Sequence, residues 1–503
     1  MADVETIRNV KRIKEKTDIG KKRGIETSEI EKLTDDCLIE IFQHLPTIAE
    51  KIRIERVCKR WQNLSQRSWT NFKSLNFSAK TWGMKANPSG ELLLIRSIDL
   101  DKIIRLSGRY LTRIITDIGK FAKICNLLPK LQDLQLIDDC LDRSKKCADK
   151  YSEQSAYQLN KQEKTSQCTY DPWQVIISWL ISHGRRVTTL KLEIKHNHYK
   201  EDDFARFLGE MKQLECFHLY NCEYLDWSGT CLLHLPFKIV QEIFLICNYK
   251  LTFDRNIIPL MIKQCKKLQA FGLEGGEGHA DGILEGLPSQ SNTFKELRLQ
   301  FDRIENPSLL FSTMSMLVHL EKLDIAHCNA VTDEFLEVIS KKCKKLTYLH
   351  IYNCRRVTDR GVSSICDLET LTYLSISVLP EIRFPPLEKL KNLLVLDLHE
   401  SQNIQEECLF CFLEKAHQLR ALDVSDSPFV TNLLLSFAAE IVRKRNTNIG
   451  LDLCVTGTGA NINSLVDKPP LLNFVMNYEF MLPEQYGIKE IFADIRDHEI
   501  STY

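Results

Sequence analysis

Three groups of residues have types and spacings that could do chemistry. Cys408-x-x-Cys411 has the spacing of a thiolate pair that grips a metal ion. His196-x-His198 would set two imidazoles on one face of a strand, with His218 approaching from a later segment. Gly272, Gly275, Gly276 and Gly278 make a glycine-rich turn of the sort that can cradle phosphate. Each group lacks its complement. No second ligand pair follows the cysteines, whose segment has helical spacing and predicts buried thiols, and exposed loop imidazoles are the default for the histidines. No Lys-Ser or Lys-Thr follows the glycines, and GxSxG, HExxH and GxxxxGK are all absent. The sequence therefore predicts no catalytic residues, no metal and no cofactor. Its chemistry should be binding.

Composition narrows the partners. The chain has 503 residues, 44% hydrophobic and 27% charged, with 67 basic and 67 acidic side chains. A soluble chain with more than one core fits these values, and a net charge of zero gives no reason to expect nucleic acid or an anionic membrane. No stretch reads as a signal peptide or a membrane span, which predicts an intracellular protein, cytoplasmic or nuclear. Lys11-Arg12 and Lys21-Lys22-Arg23 have the form of a two-part nuclear import signal within a disordered basic arm over 1–27. In a reducing compartment most of the 18 cysteines should act as small buried hydrophobes rather than disulfides.

Two kinds of element must position any binding surface. The first is Ile30–Ser65, where Leu33, Cys37, Leu38, Ile41, Phe42 and Leu45 recur at helical spacing until Pro46 stops the helix. Ile48, Ile52, Val57, Cys58 and Trp61 supply a second apolar set. Short helices of roughly 10 residues bury little surface, so part of this apolar excess should serve a partner. Leu33-x-Asp35-Asp36-x-Leu38-x-x-Ile41-Phe42-x-x-Leu45-Pro46 followed by Val57-Cys58-Lys59-Arg60-Trp61 resembles the F-box, the docking module of substrate receptors in cullin-RING ubiquitin ligases. Thr34 stands where that family usually has Pro, and its side-chain oxygen predicts a substituted helix cap. The resemblance implies that Leu33, Leu38, Ile41, Phe42, Leu45, Pro46, Val57, Cys58 and Trp61 serve adaptor docking, some of them through the module's own core. It implies as partners the adaptor, and through it cullin and RING subunits.

The second element is a repeat. Leu-x-x-Leu-x-Leu recurs about every 26 residues, most plainly as Leu320/Leu323/Ile325 and Leu346/Leu349/Ile351. A doubtful unit falls at Leu111/Ile114, a 56-residue gap separates Leu134 from Leu190, and a weak last unit at Leu451/Leu453 takes Leu451 as its centre. The pattern resembles the cysteine-containing leucine-rich repeats found beside F-boxes. The fold expected is therefore α/β: a helical F-box over 28–70 and a leucine-rich-repeat solenoid over 71–465. A polar loop interrupts the solenoid at 142–170, and a cap or tail occupies 466–503.

In such a solenoid the residues between and just after the inward leucine pair line a concave face. Tyr220, Phe244 and Ile246 would be an apolar hot spot there, followed by Arg298, Asp324, His350, Tyr352, Asp397 and Asp423. That predicts a protein substrate with an apolar anchor and basic residues, unless the C-terminal tail covers the patch. The resemblance implies a substrate receptor that makes no bonds itself and delivers proteins for ubiquitination and degradation. A non-degradative scaffold is the alternative, and a sensor for a phosphate-rich ligand is disfavoured by the isolation of Lys191 and Arg298.

Overall fold

The computed structural model describes residues 29–45, 47–76, 97–137, 171–194, 199–220, 227–247, 253–275, 280–300, 304–445 and 447–475. The basic arm, Pro46, the 142–170 loop, His196, His198 and most of the C-terminal tail lie outside them. The chain divides into two compact units, Met1–Leu111 and Thr112–Tyr503.

The first unit opens with α1 (Asp35–Gln43). Thr34 is extended at φ −66° and ψ 159°, and its hydroxyl oxygen accepts the Cys37 N–H at 3.3 Å, as a substituted cap requires. Asp35 and Asp36 sit at the positive end of the helix dipole. Thr47 and Glu50 then form a reciprocal capping box that starts α2 (Ile48–Ile54). Cys58 caps α3 (Lys59–Ser68), its sulfur accepting the Trp61 N–H. β1 (Ser74–Asn76) and α4 (Ser97–Ser107) complete the described part of the unit.

Leu38, Phe42 and Leu64 form the core of the helical module, with Leu33, Ile39, Leu45, Ile54 and Trp61 packed against it. Two polar clamps hold the helices. Arg60 of α3 donates to the Asp35 carboxylate at 2.8 Å and to the Leu33 carbonyl at 2.7 Å. The buried Lys51 ammonium of α2 donates at 2.7 Å to the Phe42 carbonyl in the last turn of α1, which also accepts the Leu45 N–H at 3.5 Å.

In the second unit the strands run in chain order: β2 (Arg113–Asp117), β3 (Asp133–Ile137), β4 (Thr189–Glu193), β5 (Cys216–Tyr220), β6 (Glu242–Ile246), β7 (Ala270–Glu274), β8 (Glu296–Gln300), β9 (Lys322–Asp324), β10 (Tyr348–His350), β11 (Tyr373–Ser375), β12 (Val395–Asp397), β13 (Ala421–Asp423), β14 (Leu451–Cys454) and β15 (Leu472–Val475). Each pairs in parallel with the next. Most returns carry a helix: α5 (Ile118–Ile124), α6 (Pro172–His183), α7 (Glu201–Glu210), α8 (Ile257–Gln264), α9 (Ala280–Gly286), α10 (Pro307–Met316), α11 (Asp333–Lys342), α12 (Asp359–Ile365), α13 (Glu406–Lys415) and α14 (Asn432–Lys444). The central residues Leu297, Leu323, Leu349, Leu374, Leu396 and Leu422 align and are fully buried. This is the parallel ladder of a leucine-rich-repeat solenoid.

Register resolves the irregular units. The doubtful unit at Ile114 is a full strand, β2. β3 pairs directly with β4, so the long gap is one repeat carrying an insertion. Leu453, not Leu451, aligns with Leu422, which moves Asp452 opposite Ala421 and puts Cys454 opposite Asp423. The sheet also extends past 465, because Leu472–Val475 adds β15 without the full leucine motif.

Two devices recur between repeats. Three residues past their strands His327, Asn353, Val378, Glu400 and Asp426 all take left-handed φ values of 52–57°. Each N–H bonds a carbonyl of the following repeat, which offsets the cost of a conformation that side chains other than Asn and Asp avoid. The second device is a carboxylate that caps the next repeat's helix rather than its own. Asp333 accepts from Thr358 N at 2.8 Å, Thr358 Oγ1 at 2.7 Å and Gly361 N at 3.1 Å. Gly361 is required there, since a Cβ would strike that carboxylate. Glu406 caps Thr431 and Leu434 in the same way. Asp333→Ala would leave several charge-assisted bonds unmade and is expected to cost about 2–3 kcal/mol. Thermal unfolding of the purified variant reads that loss as a lower Tm.

Candidate protein-interaction surfaces

In the helical module the structure separates the residues read from the sequence. Leu38 and Phe42 are buried in its core, while Leu33, Leu45 and Trp61 are half-buried against it. The Phe42 and Trp61 rings meet at a tilt of 57° with centroids 5.1 Å apart. Ile41 is 45% exposed, Val57 is 60% exposed, and Cys58 is also exposed. Ile41 is on α1 and Val57 in the turn before α3, so the exposed apolar groups come from two separate elements.

The outward face of the solenoid sheet differs from the expectation. Tyr220, Phe244 and Ile246 are not open to solvent; they form a buried cluster with Ala270. Phe244 is 1% exposed; its ring lies over Gly272, where any Cβ would overlap it, and meets the His218 ring edge-on at 4.6 Å. Gly272 is thus a strand residue that makes room for an aromatic ring. The turn that follows uses Gly275, at φ 70°.

The charged residues predicted to greet a basic partner are occupied with one another. Arg298 is 2% exposed and lies between Glu274, at 3.0 Å, and Asp324, at 3.6 Å. His350 meets the other oxygen of Asp324 at 2.9 Å. Three consecutive strands thus carry alternating charge, and the imidazole of the fourth hydrogen-bonds to the last of them. A buried charge is tolerated only when it is paired or well hydrogen-bonded. Tyr352 is half-buried and stacks near His350 and His399.

Asp397 and Asp423 are adjacent in register. Asp397 accepts from Ser375 and Ser377 hydroxyls, each at 2.8 Å, and from His399 N at 3.1 Å. Burial opposes its ionisation, but His399 and these bonds outweigh that and hold its carboxyl below the usual range. Burial and then the Asp397 charge push Asp423 up to about 6. Asp324, Asp397 and Asp423 are all buried, so none offers an open acidic surface.

Cys408 and Cys411 do lie on a helix, α13, but Cys408 is half-buried and Cys411 exposed, contrary to the buried reading. Among the described cysteines Cys247 is disulfide-bonded, also unlike the expectation, and the others are thiols. A group that sequence spacing missed is Cys216, His218 and Glu242, whose donor atoms all lie within 4.8 Å of one another. Burial, then Glu242, pushes the Cys216 thiol well up, and the His218 hydrogen bond holds Glu242 below its usual range. The signal was available in principle: Glu242 follows Cys216 by one repeat, and both flank a central apolar residue. These donors could hold a metal ion.

A small helical module bearing an apolar surface, with a leucine-rich-repeat solenoid in the same chain, defines a class of interaction protein. Residues 30–73 match the F-box domain family. The chain carries an F-box domain ahead of a leucine-rich-repeat solenoid. It is also 32% identical over 79 residues to the mitochondrial ATP synthase subunit s of Pongo abelii and of Homo sapiens. That stretch is 15% of this chain, and the chain spans 40% of the length of these curated relatives. Among solved structures, the Rad7 and Elc1 complex in yeast superposes with a TM-score of 0.45 at 16% identity, covering 58% of this chain and 82% of that one. An internalin (inlF) from Listeria monocytogenes gives 0.40 at 15%, covering 74% and 88%.

The raised Asp423 value has a pH consequence. The folded value of about 6 lies above the ordinary 3.8, so the folded chain holds this proton more tightly than the unfolded one. The associated stability is full below about pH 4 and is lost as pH rises through about 6. Asp423→Asn cannot ionise. Relative to the wild type it is expected to gain on the order of 2 kcal/mol between about pH 4 and pH 7.5, read as a widening Tm difference.

Proposed function

We propose that this protein is the substrate-recognition subunit of a cullin-RING ubiquitin ligase of the F-box type. The F-box would bind the adaptor subunit, and the solenoid would hold a protein for ubiquitination and proteasomal degradation. The observation that carries the reading is the division of labour within residues 30–73. Leu38 and Phe42 build the core, while Ile41 and Val57 remain as large exposed apolar groups in a domain whose family docks onto an adaptor. The contribution to catalysis is positional: a substrate held beside a ubiquitin-charged enzyme reacts at an effective concentration far above that in free solution. The chain's own residues would bind and orient. The other subunits would make the bond.

Ile41→Asp with Val57→Asp should weaken adaptor binding by about 30-fold or more while leaving helical content unchanged. Leu38→Ala should instead destabilise the module by ~3 kcal/mol. Calorimetry of the reconstituted pair and circular dichroism separate these effects, and full-strength binding by the double variant would contradict the docking mode. Proteasome inhibition should raise the amount of the partners captured by the wild type and not by the double variant. Unchanged amounts would favour the non-degradative scaffold.

A further inference from the structure

We propose that Cys216, His218 and Glu242 form a zinc site that ties two consecutive repeats together. Cys216 and His218 are two residues apart in β5 and share one face of the sheet. Glu242 is the residue of β6 directly opposite Cys216. Cys216 Sγ lies 3.1 Å from His218 Nε2, and that nitrogen lies 3.8 Å from Glu242 Oε2. A tetrahedral zinc ion, with bonds of about 2.3 Å to sulfur and about 2.0–2.2 Å to nitrogen and oxygen, sets its ligand atoms roughly 3.3–3.7 Å apart. Those two distances bracket that range, and the Cys216–Glu242 pair lies within 4.8 Å. Nothing larger than side-chain adjustment is needed.

The surroundings fit a metal ligand. His218 Nδ1 is 2.7 Å from the Tyr220 hydroxyl, an outer contact that fixes the ring with Nε2 turned to the cluster. A thiol, an imidazole and a carboxylate together suit zinc rather than magnesium or calcium, which prefer all-oxygen sites. The carboxylate of Asp133, on β3 and one strand removed from β5, adds negative charge, while Lys191, in register with His218 on β4, opposes a cation. Three protein ligands leave a fourth position for water or for a donor from a bound partner. The site adjoins the Tyr220, Phe244 and Ile246 cluster, so loading would stiffen that part of the sheet.

The test uses the full-length protein with the Cys247 disulfide intact, stripped of metal and titrated with cobalt(II), then with zinc in competition. One equivalent of cobalt should bind with a sulfur-to-cobalt charge-transfer band, and zinc should displace it and raise the Tm. Cys216→Ser should abolish the band, and Glu242→Gln should weaken binding by about 100-fold or more. Tyr220→Phe should weaken it by about 10–100-fold. Lys191→Met should tighten it several-fold, which a purely packing role for the cluster would not produce. Cys408→Ser with Cys411→Ser should leave the band in place. The proposal is overturned if the folded wild type binds no stoichiometric cobalt, or if its band survives Cys216→Ser. Should Cys216→Ser fail to fold, full-affinity binding by Glu242→Gln overturns it equally.

Discussion

The hydrogen bonds from one repeat to the next are the constraint on which the rest of the solenoid depends. A single strand of three to five residues with its return helix cannot bury its own apolar face. Stability comes from repetition, in three registers at once: the parallel strand ladder, the left-handed turn residues that each bond the following repeat, and acids such as Asp333 and Glu406 that cap the next helix. In each case a group lacking a partner in its own repeat finds one next door. The consequence is a chain of nearest-neighbour dependencies rather than one central core.

That lateral logic governs the outward face as well. Side chains projecting there meet neighbours one repeat away, and the sequence provides complementary ones: Phe244 beside Gly272, Arg298 between Glu274 and Asp324, Asp324 with His350, and Asp397 with Ser375 and Ser377. Residues that look like a recognition surface along one strand become an internally matched layer when strands are set side by side. The strain of this matching is visible at Asp423, which is held next to Asp397 and keeps its proton to an unusually high pH. The F-box works in the opposite way. Its core is small and completed by local caps, which leaves Ile41 and Val57 on the outside.

What could be read from the sequence follows the same division. Local signals were legible: the Thr34 cap and the leucine rows that became parallel strands. Burial of the outward face was not, because it depends on pairs about 26 residues apart whose alignment is set by register. The last unit shows how sensitive that is, since a shift from Leu451 to Leu453 changed which residues Asp452 and Cys454 oppose. Cys216 and Glu242 escaped notice for the same reason: neither is near the other along the chain, and β5 and β6 bring them together.

The central claim is that one chain divides its work, with the F-box presenting apolar surface to an adaptor while the repeats mainly satisfy one another. Amide hydrogen exchange of the full-length protein, alone and with saturating adaptor, measures both halves at once. The account predicts adaptor-dependent protection confined to residues 33–61, with exchange across the repeats from β5 to β14 unchanged. Protection appearing in those repeats, or none in 33–61, would contradict it.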